Sequence, residues 1–261
     1  MNAPLREFEE TVVDAWPAVE TEELDGWLLR SSGGPSHRAN SAATLGAGSE
    51  LPLPTRIAQS EAWYRARGRL PMFQVGPCAS PEGLEQALVE RGYRKEGEAA
   101  LARATPGEVL AQVGRAQSLE CSVTNAAKAA WLELAVQRSR FANAADFFKG
   151  VLACLGSRCR FALARDARDE ACAAALGVAS EDRLGIYAMF SLPHRRRQGA
   201  GRGLLRALAQ SAQAEGMREL YLLVETDNTA ARSLYQRAGF QDLYSYHYRV
   251  FDDGRRGVPF C

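Results

Sequence analysis

Between a strand-like run, Leu184 to Ser191, and a helix-like run ending near Glu215, the chain reads Pro193-His194-Arg195-Arg196-Arg197-Gln198-Gly199-Ala200-Gly201-Arg202-Gly203-Leu204-Leu205. Three glycines and no β-branched residue allow a tight turn at the start of a helix, where unpaired backbone N–H groups converge on one anion. The helix dipole adds positive potential at the same place, and the arginines Arg195, Arg197 and Arg206 add more. The segment therefore predicts a pyrophosphate cradle, formed chiefly by the amides of Arg197 to Arg202, late in the chain. A P-loop is excluded because no lysine followed by serine or threonine comes after these glycines. A dinucleotide-binding fingerprint needs a different glycine spacing, although Glu225 stands where its ribose-binding acid would.

The residues that follow predict a strand over 219–225, then a helix with Asn228 as N-cap and Gly239 just past its end. Asn228, Arg232 and Tyr235 then share one helix face. Leu243 to Phe251 alternates as a strand. Two motifs lie in order within this β-α-β-α-β frame. Arg196-Arg197-Gln198-Gly199-Ala200-Gly201, with Pro193 three residues ahead, resembles the [QR]-x-x-G-x-[GA] signature of the GNAT N-acetyltransferase superfamily. Asn228, Ala231, Leu234, Tyr235, Gly239 and Phe240 match every fixed position of that family's N-x-x-A-x-x-L-Y-x-x-x-G-F motif. The resemblance covers roughly residues 107 to 255.

It implies a mixed-sheet α/β fold, the acyl-CoA N-acyltransferase (GNAT) fold, with acetyl-CoA as co-substrate and no metal. It also implies that Met189, Phe190, Ser191, Arg196, Arg197, Gln198, Gly199, Ala200, Gly201, Arg202, Asn228, Ala231 and Arg232 contact the cofactor. An oxyanion donor is expected among the backbone N–H groups near Phe190. Tyr235 is the expected catalytic residue, the acid that meets the departing thiolate. A phenol near pKa 10 does not readily protonate a thiolate near 8.5, so a hydrogen bond to the thiolate is the larger expected effect. No general base is assigned, because Gly185 to Ser191 carries no carboxylate. Glu181, Asp182 and Glu225 are near in sequence, and Tyr187 is placed to act through water.

Composition narrows the rest. Residues 1–106 carry 11 basic and 15 acidic side chains, and residues 107–261 carry 21 basic and 16 acidic, so the half with the cradle is the basic one. Arg195-Arg196-Arg197 is not flanked by an aromatic stacking platform, which argues against a nucleic-acid surface. The first ten residues lack the basic and apolar regions of a signal peptide. No apolar run reaches the ~18 residues of a membrane span. Six cysteines, at 78, 121, 154, 159, 172 and 261, show no metal or CxxC spacing, and His37, His194 and His247 are scattered. These features predict a cytoplasmic protein, and the resemblance implies a monomer or homodimer acting on a small-molecule or peptide amine. A binding protein that senses acyl-CoA, or an acyltransferase using another acyl-CoA, is the alternative.

Two domains are expected, 1–106 without a CoA motif and 107–261 with it, joined by a linker at Ala104-Thr105-Pro106-Gly107. In the first, helices are predicted near 5–16, 55–68 and 81–91, and strands near 27–31, 38–45, 71–75 and 93–103. In the second, a strand at 119–124 precedes helices at 126–139 and 144–155 and strands at 159–165, 170–179 and 184–191. Leu84 to Tyr93 echoes Ala231 to Phe240 as helix, glycine, strand, with Gly92 in the register of Gly239. The first half therefore reads as a truncated copy of the second, two tandem copies in all. Gly26-Trp27-Leu28-Leu29-Arg30 followed by Arg38-Ala39-Asn40-Ser41 is similar to an element ahead of the catalytic domain in one bacterial branch of tandem GNAT proteins. Trp27, Arg30, Arg38 and Asn40 mix an aromatic with polar groups, as the walls of an acceptor pocket do.

Overall fold

The computed structural model describes residues 3–114, 119–137 and 142–251. Cys261 and the end of the helix expected to reach Ser139 lie outside them. The chain divides into two compact units, residues 1–99 with 244–261, and residues 100–243. The sequence division at 106 and 107 differs from these limits, since the C-terminal strand is grouped with the first unit.

The first unit begins with α1 (Ala3–Asp14), β1 (Glu20–Leu24), β2 (Trp27–Ser31) and β3 (Ala42–Ala43). It continues with α2 (Leu53–Ala66), β4 (Met72–Val75), α3 (Leu84–Glu90) and the first part of β5 (Tyr93–Ala104). Within it β2 pairs antiparallel with β1 and β3, and β3 runs parallel to β4. The last strand, β11 (Gln241–Phe251), pairs antiparallel with β4 through residues 247–250. Trp27, Leu29, Ile57, Tyr64, Phe73 and Leu88 form a core that is essentially dry.

The expected strand over 38–45 is mostly absent. Arg38–Asn40 is a 3-10 turn and only Ala42–Ala43 is extended. The cause is Asn40, whose side chain accepts from Ser32 N and donates to Gly34 O and Ser36 O, each at 2.9 Å. Such local bonds compete with strand ladders. Asn40 is thus a loop brace. Trp27 is equally structural: its ring is wholly buried, edge-on to Phe73 at 5.6 Å, and its indole N–H donates to Ser80 O at 2.7 Å. Neither is a pocket wall. Arg38 donates to the Tyr246 hydroxyl at 3.3 Å.

The second unit holds α4 (Pro106–Gln112), β6 (Glu120–Thr124), α5 (Ala129–Leu132) running into a π-helical turn at Glu133–Gln137, α6 (Ala145–Leu155) and β7 (Cys159–Arg165). β8 (Ala171–Ser180), β9 (Arg183–Ser191), α7 (Ala200–Ala214), β10 (Glu219–Glu225) and α8 (Thr229–Arg237) follow. β6, β7, β8 and β9 are successively antiparallel, and β10 runs parallel to β9. α7 lays Leu204, Leu205, Leu208 and Ala212 on this sheet, all fully buried. Each leucine contributes about 2 kcal/mol by leaving water. The expected linker is the start of α4. The Thr105 hydroxyl accepts from Glu108 N at 3.2 Å while the Glu108 carboxylate accepts from Thr105 N at 2.7 Å, a capping box with Pro106 in the first turn.

One buried acid stands apart. Glu9 on α1 is 2% exposed and its Oε2 has no hydrogen-bond partner. A Cβ on Gly76 would lie 2.2 Å from its Oε1. Burial pushes Glu9 up to about 7, against opposing hydrogen bonds from Cys78. The unfolded chain releases this proton in the ordinary carboxylate range, whereas the folded chain keeps it to about 7. Deprotonation therefore favours unfolding, and folding stability falls as pH rises through this window, by up to about 3 kcal/mol. Urea denaturation at pH 4.5 and 7.5 should show this loss, and Glu9→Gln should abolish its share; an unchanged pH slope in the variant refutes the assignment.

Candidate active site

The site begins where two parallel strands part. β9 and β10 pair only through Arg183–Ile186 against Glu219–Leu222, yet they continue to Ser191 and Glu225. On its other edge β9 carries a bulge. Leu176 pairs with Tyr187 and Ala174 with Phe190, so Ala188 and Met189 together face Ala175. Ala188 has φ +47°, a left-handed conformation uncommon for a residue with a side chain. A bulge re-aims the side chains beyond it. Leu184 and Ile186 pack in the core with α7, and Met189 packs there too, although strict alternation would place it with Tyr187. The Trp131 indole N–H donates to the Ala175 carbonyl at 3.0 Å, opposite the bulge.

Past β9 the chain turns through Arg197 at φ +63° and Gly199 at φ +89° into α7. No side chain caps α7 and its first turn carries no acid. The first intrahelical bond runs from Gly203 N to Gly199 O, so the N–H groups of Ala200, Gly201 and Arg202 have no helical partner. Gly201 also lets α8 approach, since a Cβ there would meet Leu234 Cδ2 at 2.9 Å. Arg196, Arg197 and Arg202 are exposed and form no ion pair among the described residues. Gln198 Nε2 donates to His194 O at 3.2 Å, which braces the turn. This end of α7 can hold an anion.

Two arginines expected to add charge there are engaged elsewhere. Arg195 pairs with Asp166 at 2.5 Å and Glu170 at 3.3 Å. Asp166 accepts the backbone N–H groups of Glu170 and Arg168, and these bonds together with Arg195 hold its carboxyl below the usual range. Arg206 donates to Val113 O at 2.8 Å and so closes the end of α4.

α8 completes the arrangement. Asn228 Oδ1 accepts from Ala231 N at 3.1 Å, as an N-cap does, and Ala231 packs on the core. Arg232 pairs with Asp242 at 2.8 Å and leaves its Nη1 buried without a partner. The Tyr235 ring packs edge-on to Phe240 at 6.1 Å, and its hydroxyl donates to Met189 Sδ at 3.7 Å. The structure thus brings Tyr235 to the bulged strand. Phe190 and Ser191 lie half-buried at the end of that strand.

Among the nearby carboxylates, Glu181 and Asp182 precede β9 at its far end. A nine-residue strand separates them from Ser191 by roughly 25 Å. Glu225 is exposed at the parting end of β10. Tyr187 is buried, and its hydroxyl bonds the Tyr221 hydroxyl at 3.1 Å. The pair fits only because residue 185 is glycine: a Cβ there would sit 2.6 Å from Tyr187 Cε2 and from the Tyr221 hydroxyl. Sequence reading missed Tyr221, Trp131 and the bulge. Alternation along 219–225 could have placed Tyr221 beside β9, whereas nothing local marks the bulge. Among the described residues no three His, Cys, Asp or Glu side chains come together as a metal site.

A family model described as "Probable histone acetyltransferase Rv0428c C-terminal" matches residues 2–249. The chain is 25% identical over 248 residues to the "Uncharacterized N-acetyltransferase YobR" of Bacillus subtilis (strain 168), covering 94% of this chain and 98% of that protein. It is 30% identical over 243 residues to the "Probable histone acetyltransferase Rv0428c" of Mycobacterium tuberculosis, covering 92% of this chain and 72% of that protein. A GCN5-related N-acetyltransferase from Kribbella flavida superposes with a TM-score of 0.72 over 96% of each chain at 16% identity. A tandem GNAT protein from the clavulanic acid biosynthesis pathway does so at 0.57, over 76% of this chain and 69% of that one, at 12% identity. These structures share the mixed α/β GNAT fold with this chain.

Because the atoms that would crowd a new Cβ belong to two buried rings, Gly185→Ala should cost about 1–3 kcal/mol of stability. Chemical denaturation measures it, and a midpoint equal to that of the parent protein would refute the tight fit.

Proposed function

The chain belongs to the Rv0428c C-terminal acetyltransferase family, within the GNAT N-acetyltransferases, and is an acyltransferase; from that premise we propose that it moves an acetyl group from acetyl-CoA to a primary amine of a small molecule or peptide by direct attack in a ternary complex. The observation that carries this reading is the uncapped start of α7 beside a parted pair of strands, with the Tyr235 hydroxyl held against the bulged strand at Met189.

Acetyl-CoA supplies an activated thioester. The N–H groups of Ala200, Gly201 and Arg202 bind its pyrophosphate, and the exposed Arg196, Arg197 and Arg202 add positive potential that favours the anion. Gln198 and Gly199 shape the turn. Asn228 keeps its cap through Oδ1 and turns its amide to the pantetheine arm, with Ala231 beside it. Met189, Phe190 and Ser191 offer their unpaired strand edge to the same arm. The backbone N–H near Phe190 stabilises the oxyanion that forms when the amine nitrogen attacks the thioester carbon. The Tyr235 hydroxyl hydrogen-bonds the sulfur as the carbon–sulfur bond breaks, and the amine proton leaves to solvent. Arg232 acts by fixing α8 through Asp242 rather than by direct charge.

The first unit is read as a degenerate copy. α3 and α8 both end at a glycine of positive φ, Gly92 at +82° and Gly239 at +95°, and each is followed by a long strand. Ahead of α2, in contrast, the helix starts at Pro52 with no glycine cradle. Cofactor binding is thereby assigned to the residues after 106. The naming of the mycobacterial relative as a probable histone acetyltransferase keeps protein amines among the acceptors to be tried.

The decisive experiment follows CoA thiol release from acetyl-CoA against amines, amino acids, aminoglycosides and lysine peptides. Tyr235→Phe should lower turnover at least about tenfold and change the acetyl-CoA KM little. Unchanged turnover removes Tyr235 from the mechanism. Tight acetyl-CoA binding with no amine-dependent release supports the sensor reading instead.

A further inference from the structure

The Tyr235 hydroxyl has one hydrogen to give. It gives it to Met189 Sδ, 3.7 Å away. A thioether is a weak, uncharged acceptor. Strict alternation along β9 would keep residue 189 on the face of Tyr187. The bulge at Ala188 turns it instead to the face of Leu184 and Ile186, where α8 brings Tyr235. Met189 is half-buried there and packs, like Leu234 and Tyr235, against the core under α7.

This inference rests on the acetyl-transfer reading, in which the same hydroxyl takes the sulfur of acetyl-CoA. A single O–H does not serve two sulfurs at full strength, so the two compete for it. The CoA sulfur wins as the carbon–sulfur bond breaks, because hydrogen bonds to a charged acceptor are roughly twice as strong as those between neutral groups. Rotation about the terminal bonds of the unbranched methionine side chain is enough for it to yield the contact.

The competition also fixes what lies beside the acyl group. Two atoms that meet the same hydroxyl lie next to one another, so the acyl group carried by the CoA sulfur borders Met189. The packing of Met189 against the core restrains the side chain from leaving altogether. Its bulk therefore occupies space that a longer acyl chain would need. A surplus methylene in an apolar pocket costs roughly tenfold or more.

We propose that Met189 sets the size of the acyl group this protein accepts, favouring acetyl over longer chains. Isothermal calorimetry on the full chain, with acetyl-CoA and with butyryl-CoA, tests this without any turnover. The parent protein should bind butyryl-CoA at least about tenfold more weakly than acetyl-CoA. Met189→Ala removes the thioether end of the side chain and should bring the two affinities to within about threefold. Met189→Leu keeps the bulk without the sulfur and should retain the parent preference. Should the alanine variant fail to fold, Met189→Val, whose branched side chain suits a strand, should narrow the preference at least about threefold. The proposal is overturned by a parent that binds both thioesters equally, or by a folded Met189→Ala or Met189→Val variant with the parent preference. It is overturned as well if Met189→Leu loses the preference as fully as Met189→Ala, since the sulfur and not the bulk would then decide. Thiol release separates this from the reading it rests on. Tyr235-dependent turnover with an acyl preference insensitive to Met189→Ala sinks the Met189 assignment alone. A preference that follows residue 189 with no amine-dependent thiol release sinks acetyl transfer and leaves the assignment standing.

Discussion

One extra residue in β9 organises the site. Hydrogen-bonded neighbours normally hold a strand on both edges. Here Ala188 takes a left-handed conformation, two residues oppose Ala175, and the strand beyond departs from the path that would keep it against β10. The strand edge past Ile186 is freed, and Met189 is carried to the face where α8 brings Tyr235. The helix start that follows has no cap and no acid. Its donors therefore stay open to a ligand, a local cost that the packing of Leu204, Leu205 and Leu208 offsets by roughly 2 kcal/mol each.

The arginines around the start of α7 divide by what holds them. Arg195 is fixed by a carboxylate that backbone N–H groups keep ionised, and Arg206 is spent on the last carbonyls of α4. Arg196, Arg197 and Arg202 have no such partner among the described residues and stay at the surface. In sequence the five look alike. The difference is tertiary: the turn at Asp166 and the end of α4 claim two of them.

The first unit turns a tryptophan-arginine-asparagine element into a polar frame. Trp27 and Asn40 satisfy backbone groups of Ser80, Gly34 and Ser36, which makes them parts of the fold. Arg30 is likewise buried and tied to Ser41 and Gln74. Residues that looked like one pocket wall thus act as braces within the unit.

How much could be read beforehand follows from the range of each interaction. The glycine turn into α7, the N-cap at Asn228, Gly239 after α8, and the strands over 27–31, 159–165 and 219–225 rest on contacts within a few residues, so the sequence by itself determined them and, with them, the family. The stretch at Thr105 reads as a linker in sequence, and the structure makes it the capped start of α4. Tertiary structure alone decided the bulge at Ala188, the Tyr187–Tyr221 pair, the capture of Arg195 and Arg206, and the placement of β11 against β4. Each depends on groups tens of residues or more apart in the chain, or on a register whose misplacement by one residue leaves the local pattern unchanged while exchanging the faces of the sheet.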